Sequence, residues 1–491
     1  MKEKKQPKLI TRRDYLRLMG VIGAGSILGA CGGSAAPQQQ AAAPTATSAP
    51  AEAEPAATSA PVEAPTQVPT ATAPAATEVP IWGDAIEIRQ QVHWSAQRFN
   101  DFKGLSDGWN LGPGKDANIY IHTERHGATG SEAEWAAFYM ADYVAGTSPD
   151  IYHLSGGLLP DLQAQGVVVA PDDEIQKYIQ DNYAPGAVDY VTVDGASYGY
   201  PTELQAGVTW INTKHMEEAG LDTDPAKQPK SWAELREQAK ALTVYDGDQK
   251  TRGGFIWHDG EPETQFINRV IMHAAEGETY IDLDNLKSNA NSDIGKSIMK
   301  NWYDLIHTDD ASTVGLVNIW DAYQNDLGSI IQIDAWFAKF YIVENGGQEL
   351  LDQTMVYLLP TSSGEGHKSE ARIYLFAVTS NSEHPAEAWQ FLRWLNEAPD
   401  IHMMNFMVND FGFLPGHQGM DMPEFFPAEM SATFQEALDV SVPMPFAKGL
   451  FEMYETTGSL QDAMAFGEKG WEEASEELAN AIDTILKEKY G

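Results

Sequence analysis

Short apolar runs alternate with amphipathic helical segments along most of this chain beyond residue 81. Four runs rich in β-branched and aromatic residues predict strands. They are Ala117–Ile121, Val167–Ala170, Met355–Leu359 and Ile373–Val378. Strands that alternate with helices over such a length are typical of α/β proteins whose sheets are covered by helices. The pattern therefore predicts an α/β fold.

Three helices are predicted by local signals. Ser231 and Glu234 have the spacing of a capping box, which opens a helix. Pro385 stands where the first turn of a helix tolerates proline. The segment from Gly470 to Lys489 carries an apolar stripe at helical spacing, which predicts a helix that buries one face. The stripe consists of Trp471, Ala474, Leu478, Ile482 and Ile485.

The beginning of the chain has the features of an export signal. Thr11–Arg17 is similar to the twin-arginine pattern, and the apolar run Leu18–Ala30 is too short to span a bilayer as a helix. Leu28–Cys31 resembles the bacterial lipobox, in which the cysteine is lipidated. We therefore predict a Tat-type lipoprotein signal peptide over residues 1–30 and lipidation at Cys31. The alternative is an ordinary signal peptide with an incidental cysteine.

The composition of residues 31–80 predicts a tether between the lipid anchor and the folded part of the chain. Beyond the lipobox the segment 34–80 consists almost entirely of Ala, Pro, Thr, Gln, Ser and Val, with four glutamates and no basic residue. Such a composition buries too little apolar surface to offset its ordering entropy, so we expect a disordered stalk after the lipidated cysteine. Because Cys31 is the only cysteine, disulfides and cysteine-ligated metal sites are excluded.

The charge of the chain is strongly acidic. It has 71 Asp and Glu residues against 32 Lys and Arg residues, which gives a formal net charge of −39. Such a surface repels nucleic acid and anionic headgroups, so neither is an expected partner. The acidity is compatible with a neutral or cationic ligand, and also with simple solubility of an extracellular protein.

Four ordered segments carry patterns that occur together in one family. The first runs from Glu132 through Gly146-Thr147-Ser148-Pro149-Asp150, and the second from Asp194 to Pro201 and on to Asn212 and Leu235. The third is Gly328–Phe337, and the fourth joins Leu359–Thr361, Ile373–Val378 and Phe413–Pro415. Together they resemble the family-1 extracellular solute-binding proteins of ABC importers. The region 86–115 departs from that pattern, since Phe99–Leu111 predicts only a short helix interrupted by glycine.

The resemblance implies a two-lobe periplasmic-binding-protein fold of type II, the Venus-flytrap arrangement, with a ligand cleft between two α/β lobes. It implies an N-terminal lobe over 81–204 and 374–430, and a C-terminal lobe over 205–373 and 431–491. The chain is expected to cross between lobes near Glu203–Ala206, Arg372–Tyr374 and Met430–Phe434.

The resemblance also suggests which residues contact the ligand. Aromatic rings cover the flat C–H faces of sugars, and polar side chains bond the hydroxyl groups. Trp336 aligns with a family tryptophan that stacks on ligand, and Asp334 lies two residues earlier. Glu203 and Gln205 lie on the first crossing strand, and Ser155, Gly156 and Gly157 follow a strand end. Further candidates are Trp94, Gln265, Tyr374 and Phe411.

The family implies that the protein captures a solute, most simply a carbohydrate, by lobe closure and delivers it to the transmembrane subunits of an ABC permease. No catalytic residue, cofactor or metal is expected, and the protein is expected to be a monomer. It would lie outside the cytoplasm, on the periplasmic or outer face of the cell membrane, held by its lipid anchor alone. The alternatives are a sensing subunit that presents solute to a membrane receptor, and a surface-anchored glycoside hydrolase using Glu203 and Asp334.

Overall fold

The computed structural model describes residues 79–94, 96–125, 132–316, 319–445 and 447–491. The predicted export signal, Cys31 and the Ala/Pro/Thr-rich segment lie outside the described residues. Among the residues described, no helix combines the length and the apolarity needed to cross a membrane.

The first sheet has seven strands and is organised around the long strand Ser369–Thr379. That strand pairs antiparallel with three neighbours and parallel with a fourth. All eleven of its residues are buried, because both faces of the sheet are covered. The other strands of this sheet are Ile86–Val92, Ile119–Arg125, Ile151–Ser155, Val168–Val169, Gly199–Gln205 and Ser441–Pro443.

The second sheet has six strands and is mixed. Gly328–Asp334 lies inside it, parallel to Gln249–Ile256 and antiparallel to Gly207–Asn212. Its remaining strands are Val244–Asp246, Ser312–Thr313 and Thr354–Tyr357. Two small two-stranded sheets pair Thr192–Val193 with Ala196–Ser197 and Ile281–Asp282 with Lys287–Ser288.

Helices surround the two sheets. The α-helices are Ala96–Leu111, Pro113–Ala117, Glu132–Ala145, Leu159–Ala164, Asp173–Asn182, Pro185–Tyr190, Thr213–Glu218, Trp232–Leu242, Pro262–Ala275, Asp293–Tyr303, Ile319–Gln324, Glu344–Asp352, Pro385–Asn396, His402–Asn405, Ala428–Asp439, Leu450–Ala465 and Trp471–Tyr490. Short 3₁₀-helices span Gly156–Leu158 and Pro225–Lys227, and π-helical turns span Asp304–Thr308, Ala338–Val343 and Phe406–Asp410.

The locally signalled helices form where the sequence predicts them. Ser231 and Glu234 make both reciprocal bonds of the capping box at the start of Trp232–Leu242. Pro385 occupies the first turn of Pro385–Asn396, and the final helix is Trp471–Tyr490. The helix predicted over Phe99–Leu111 begins earlier, at Ala96, and continues through its glycines.

One strand prediction needs correction at its start. The sequence predicts a strand over Ala117–Ile121, whereas the observed strand is Ile119–Arg125. Ala117 instead ends the short helix that Pro113 begins, and Asn118 caps that helix in the left-handed conformation with φ 56°. Asparagine tolerates this conformation, so the strand begins only after it.

The two sheets meet where one continuous stretch of chain leaves the first and enters the second. Gly199–Gln205 belongs to the first sheet and Gly207–Asn212 to the second, with only Ala206 between them. Met430–Phe434, expected as another crossing, lies within the helix Ala428–Asp439, which contacts strands of both sheets. The junction of the sheets is therefore the place where side chains from both can meet.

Candidate functional site

Arg372 connects the two sheets through its guanidinium group. It lies on the central strand of the first sheet, directly opposite Gln205 in the antiparallel register. Its Nη2 donates to Gln205 Oε1 at 2.7 Å and also to Asp334 Oδ2, at the end of a strand of the second sheet. Its Nη1 donates to Glu263, in the first turn of Pro262–Ala275. One buried cation therefore holds three segments together at the sheet junction.

Trp336 lies two residues beyond Asp334, at the end of the strand Gly328–Asp334. Its Nε1 donates to Asp334 Oδ2 at 3.3 Å, and the side chain is only partly buried. The ring packs against Trp320, with centroids 5.4 Å apart, and against Tyr341, with centroids 5.7 Å apart. A partly exposed tryptophan whose N–H is held by a carboxylate can stack on a planar or ring-shaped solute.

Glu203 is buried on the strand that leads into the junction. Its Oε2 lies 3.7 Å from His153 Nε2 and 3.5 Å from Thr202 Oγ1. Burial raises the pKa of Glu203 to about 8, although Arg372 and Arg98 oppose that shift. Burial also holds the pKa of His153 well below its usual range. Both groups are therefore mainly neutral at pH 7, so Glu203 can donate a hydrogen bond as well as accept one.

Aromatic side chains from several segments gather beside Glu203. Tyr374 lies opposite Glu203 in the strand register, and its ring centroid is 5.2 Å from that of His93. The ring of Trp94 lies 4.4 Å from His153 and 6.1 Å from Phe411, measured between centroids. The sequence-predicted residues Trp94, Tyr374 and Phe411 therefore belong to one aromatic cluster, and each of them is largely buried.

Ser155 and the two glycines after it form a tight turn at the end of a strand. Ser155 Oγ accepts from the Gly157 N–H at 3.4 Å, which caps the short helix Gly156–Leu158. A Cβ on Gly156 would lie 2.3 Å from the ring of Tyr190, so only glycine fits there. Ser155 also lies opposite Tyr374 in the strand register. The turn is thus adjacent to the aromatic cluster, and the contacts described here stabilise the turn itself.

Gln265 lies on the other side of the junction. Its Nε2 donates to the His258 carbonyl and to Asp462 Oδ1, both at 2.7 Å. Gln265 lies on the helix Pro262–Ala275, and the first turn of this helix contains Glu263, which accepts from Arg372. Gln265 therefore belongs to the second-sheet side of the site, whereas Glu203 and Gln205 belong to the first.

Sequence reasoning missed several members of the cluster. Arg372 had been considered only as part of a crossing, and Glu263 had not been considered. Glu370 is fully buried beside Asp334 and Arg372. Burial and the nearby Asp334 raise the pKa of Glu370 well above its usual range. The one available signal was the pair of charges at 370 and 372 in an otherwise apolar strand.

Arg98 is a further contact that the sequence did not signal. It comes from Ala96–Leu111, the region that departs from the family pattern. Its guanidinium carbon lies 2.8 Å from the centroid of Phe340 and 5.5 Å from that of Phe411. A cavity of about 530 Å³ lies beside this contact, and its lining includes Asp101. The divergent helix therefore lines this cavity together with Phe411, a member of the aromatic cluster.

The model of one protein family, described as bacterial extracellular solute-binding protein, matches residues 139–400. The chain belongs to this family. The match spans more than half of the sequence and confirms the resemblance carried by the four motif segments. No curated protein sequence matches the chain.

Solved structures of solute-binding proteins share the fold of this family member. The GacH receptor of Streptomyces glaucescens, solved unliganded and with acarbose, is 16% identical with a TM-score of 0.67, over 82% of this chain and 98% of the receptor. An ABC substrate-binding protein of Listeria monocytogenes in complex with cycloalternan is 14% identical with a TM-score of 0.69, over 82% and 99%. Maltose-bound MalE3 of T. maritima is 16% identical with a TM-score of 0.68, over 82% and 100%. The protein therefore has the expected two-lobe periplasmic-binding-protein fold.

Proposed function

We propose that this protein is the solute-capturing component of an ABC importer and that its solute is a carbohydrate. The observation that carries the proposal is the position of Trp336 at the junction of the two sheets. Its side chain is partly exposed, and its Nε1 donates a hydrogen bond to Asp334. An aromatic face beside carboxylate and amide groups suits the apolar faces and hydroxyl rims of sugars. The structural neighbours named above include complexes with acarbose, cycloalternan and maltose, which supports the same solute class.

Capture by lobe closure follows from the same arrangement. We assign residues 81–204 and 374–430 to one lobe, and residues 205–373 and 431–491 to the other. A ligand that contacts both lobes stabilises the closed form, because only that form offers all the contacts at once. Arg372 would act as a fixed tie at the hinge, since it lies beside the assigned lobe boundary and bonds Gln205 of the first sheet and Asp334 of the second. Binding and release then require no catalytic group.

The location completes the proposal. We infer that the twin-arginine signal exports the chain, that Cys31 is lipidated, and that the monomeric protein works outside the cytoplasm, tethered by its lipid. The partner that receives the solute would be the transmembrane subunits of the importer. The extracellular role of the family supports this placement.

A thermal-shift screen tests the solute class. The purified protein is melted with mono-, di- and oligosaccharides, and with amino acids as the non-carbohydrate control. A ligand at about a hundred times its dissociation constant adds about 2.7 kcal/mol to the free energy of unfolding, so a true ligand gives a clear rise in Tm. A rise with one saccharide class supports the proposal. A rise with amino acids alone would contradict the carbohydrate assignment.

A further inference from the structure

The two sides of the sheet junction touch at a second place, through aromatic rings. Phe340 lies in the π-helical turn Ala338–Val343, which follows the second-sheet strand Gly328–Asp334. Its ring packs edge-on against Phe411, with centroids 5.5 Å apart, and against Phe413, with centroids 5.7 Å apart. Only 6% of Phe340 is exposed, so the contact is buried.

Phe411 and Phe413 belong to the first-sheet side. Leu414 follows Phe413 directly, and its N–H donates to the Leu204 carbonyl at 2.9 Å. The Leu204 N–H donates in return to the Leu414 carbonyl at 3.3 Å, which forms a bridge to the strand Gly199–Gln205. An aromatic ring from the second-sheet side therefore reaches across the junction and packs against residues held by the first sheet.

Arg98 covers Phe340 from the first-sheet side as well. Its guanidinium carbon lies 2.8 Å from the centroid of the Phe340 ring, which makes a cation–π contact. Arg98 belongs to the helix Ala96–Leu111, and the Asn110 side chain of this helix exchanges hydrogen bonds of 2.8 and 2.9 Å with the backbone of Ile121 in the first sheet. The cation is therefore anchored to one sheet, and the ring that it covers follows a strand of the other.

The surroundings of Arg98 strengthen this contact. Burial lowers the pKa of Arg98 to about 10, against the attraction of Glu344 and Glu203. Both carboxylates act through space, and neither is hydrogen-bonded to the guanidinium. A cation–π contact is stronger when the cation is withdrawn from water, so the Phe340 ring is a close and largely desolvated partner of Arg98.

Gly412 lets the two sides approach closely. It lies between Phe411 and Phe413 with φ 74°, a conformation that favours glycine. A Cβ at Gly412 would lie 3.1 Å from the Cβ of Lys339, the residue before Phe340. The backbone of the first-sheet side therefore runs directly against the turn that carries the inserted ring.

The contact adjoins the proposed solute site. The Trp336 ring lies 5.9 Å from that of Phe340, and the Trp94 ring lies 6.1 Å from that of Phe411, measured between centroids. By the lobe assignment above, Phe340 belongs to one lobe, whereas Arg98 and Phe411 belong to the other. Moving the lobes apart beside Trp336 would therefore separate the Phe340 ring from its partners.

We propose that Phe340, Arg98, Phe411 and Phe413 form an interlobe latch, which stabilises the closed form before the solute binds. The inference rests on the proposed function and concerns the regulation of its site. The four side chains belong to the chain itself, so their contacts favour closure whether or not a solute is bound. The latch thereby raises the apparent affinity for a solute that binds the closed form, because that affinity scales with the fraction of molecules in the competent form.

Double electron–electron resonance between the two lobes tests the latch directly. Cys31 is the only cysteine, so spin labels are placed on the full chain carrying Cys31→Ser, Gln180→Cys and Glu476→Cys. Gln180 and Glu476 are exposed on the helices Asp173–Asn182 and Trp471–Tyr490, one in each assigned lobe. The distance distribution is recorded without solute and with the saccharide that gives the largest thermal shift.

Two variants remove the latch from opposite sides. Phe340→Ala removes the ring and Arg98→Gln removes the charge, and each should shift the solute-free distribution to longer distances. Loss of a largely desolvated cation–π contact predicts a fall of about tenfold or more in the ratio of closed to open molecules.

Tyr303→Ala is the matched control, because this partly buried ring contacts His307 within its own lobe, with centroids 4.6 Å apart. It should keep the wild-type distribution. Thermal melting without ligand confirms that each variant is folded. Because the Arg98 side chain is partly exposed, Arg98→Gln keeps the test decisive if Phe340→Ala fails to fold.

The outcomes separate the latch from the proposed function. Wild-type distances in the folded latch variants, or a wild type that is open without solute, overturn the inference and leave the proposed function standing. Longer distances in the variants that the saccharide shortens again support both. Longer distances that no saccharide shortens retain the latch and contradict the capture of a carbohydrate by lobe closure.

Discussion

Arg372 and Gln205 face each other across two antiparallel strands at the point where the chain leaves one sheet for the other, and their side chains are 2.7 Å apart. The same guanidinium donates to Asp334 from the second sheet. A charge buried in this way is stable only while its partners remain, because no water replaces them. The contact therefore makes the hinge region depend on one residue.

Replacing Arg372 with methionine should destabilise the protein strongly. The variant leaves the buried Asp334 and the partly exposed Glu263 without their cation, and breaking a buried pair typically costs about 3–5 kcal/mol in the free energy of unfolding. Urea denaturation followed by circular dichroism measures the loss. Adding Asp334→Asn to Arg372→Met should recover part of it, because one uncompensated charge is then removed.

The matched control is Lys469→Met, which removes a partly exposed cation paired with the exposed Glu473 and Glu477 on the final helix. Exposed pairs contribute little, so this variant should behave like the wild type. If Arg372→Met proved as stable as Lys469→Met, the claim that Arg372 stabilises the junction of the two sheets would be wrong.

Glu203 should make the stability of the protein fall as pH rises. Its pKa is raised from 4.5 to about 8 in the folded protein, so between these values the folded state keeps a proton that the unfolded state releases. This contribution is complete below pH 4.5 and is lost as pH rises through about 8. The variant Glu203→Gln should therefore show a shallower pH profile of the free energy of unfolding.

Glu370 has a raised pKa as well, so some slope should persist in Glu203→Gln. Denaturation midpoints measured across this pH range for the wild type, Glu203→Gln and the surface variant Glu472→Gln give the comparison. Superimposable profiles for all three proteins would show that Glu203 is not held neutral by burial.

Gly156→Ala should be destabilising although it adds one methyl group. The new Cβ would lie 2.3 Å from the Tyr190 ring and 2.8 Å from its carbonyl oxygen, so the turn must shift. Overpacking of this kind costs about 1–3 kcal/mol. Gly104→Ala is the control, because its Cβ meets nothing within 4 Å and lies inside a helix. That variant should gain about 0.5–1 kcal/mol, and an equal effect of both changes would contradict the packing argument.

Local features of the fold were predictable from the sequence, and contacts between distant segments were not. The capping box of Ser231 and Glu234 depends on residues three apart, and the Pro385 helix depends on its own first turn. Arg372 and Gln205 are 167 positions apart, and no local pattern specifies that they meet. The family motifs did place Trp336 and Asp334 together, since they are neighbours in sequence.

The surroundings of Gln265 are a clear case of what could not be predicted from the sequence. Gln265 was among the candidate ligand contacts, but its surroundings come from residues far along the chain. Asp462, which accepts from Gln265, is 197 positions away from it. Likewise, the backbone N–H that donates to Asp259 Oδ2 comes from Gly315, 56 positions along the chain.

The central claim is that a saccharide stacks on Trp336 at the junction of the two sheets. The most direct test is a calorimetric titration of wild type, Trp336→Ala and Trp471→Ala with the saccharide that gives the largest thermal shift. Trp471 is also a partly buried tryptophan, but it opens the final helix. Loss of a central aromatic contact costs about 2 kcal/mol or more, roughly thirtyfold in Kd. We expect that loss for Trp336→Ala and wild-type affinity for Trp471→Ala. Unchanged affinity in a folded Trp336→Ala protein would contradict the proposed site.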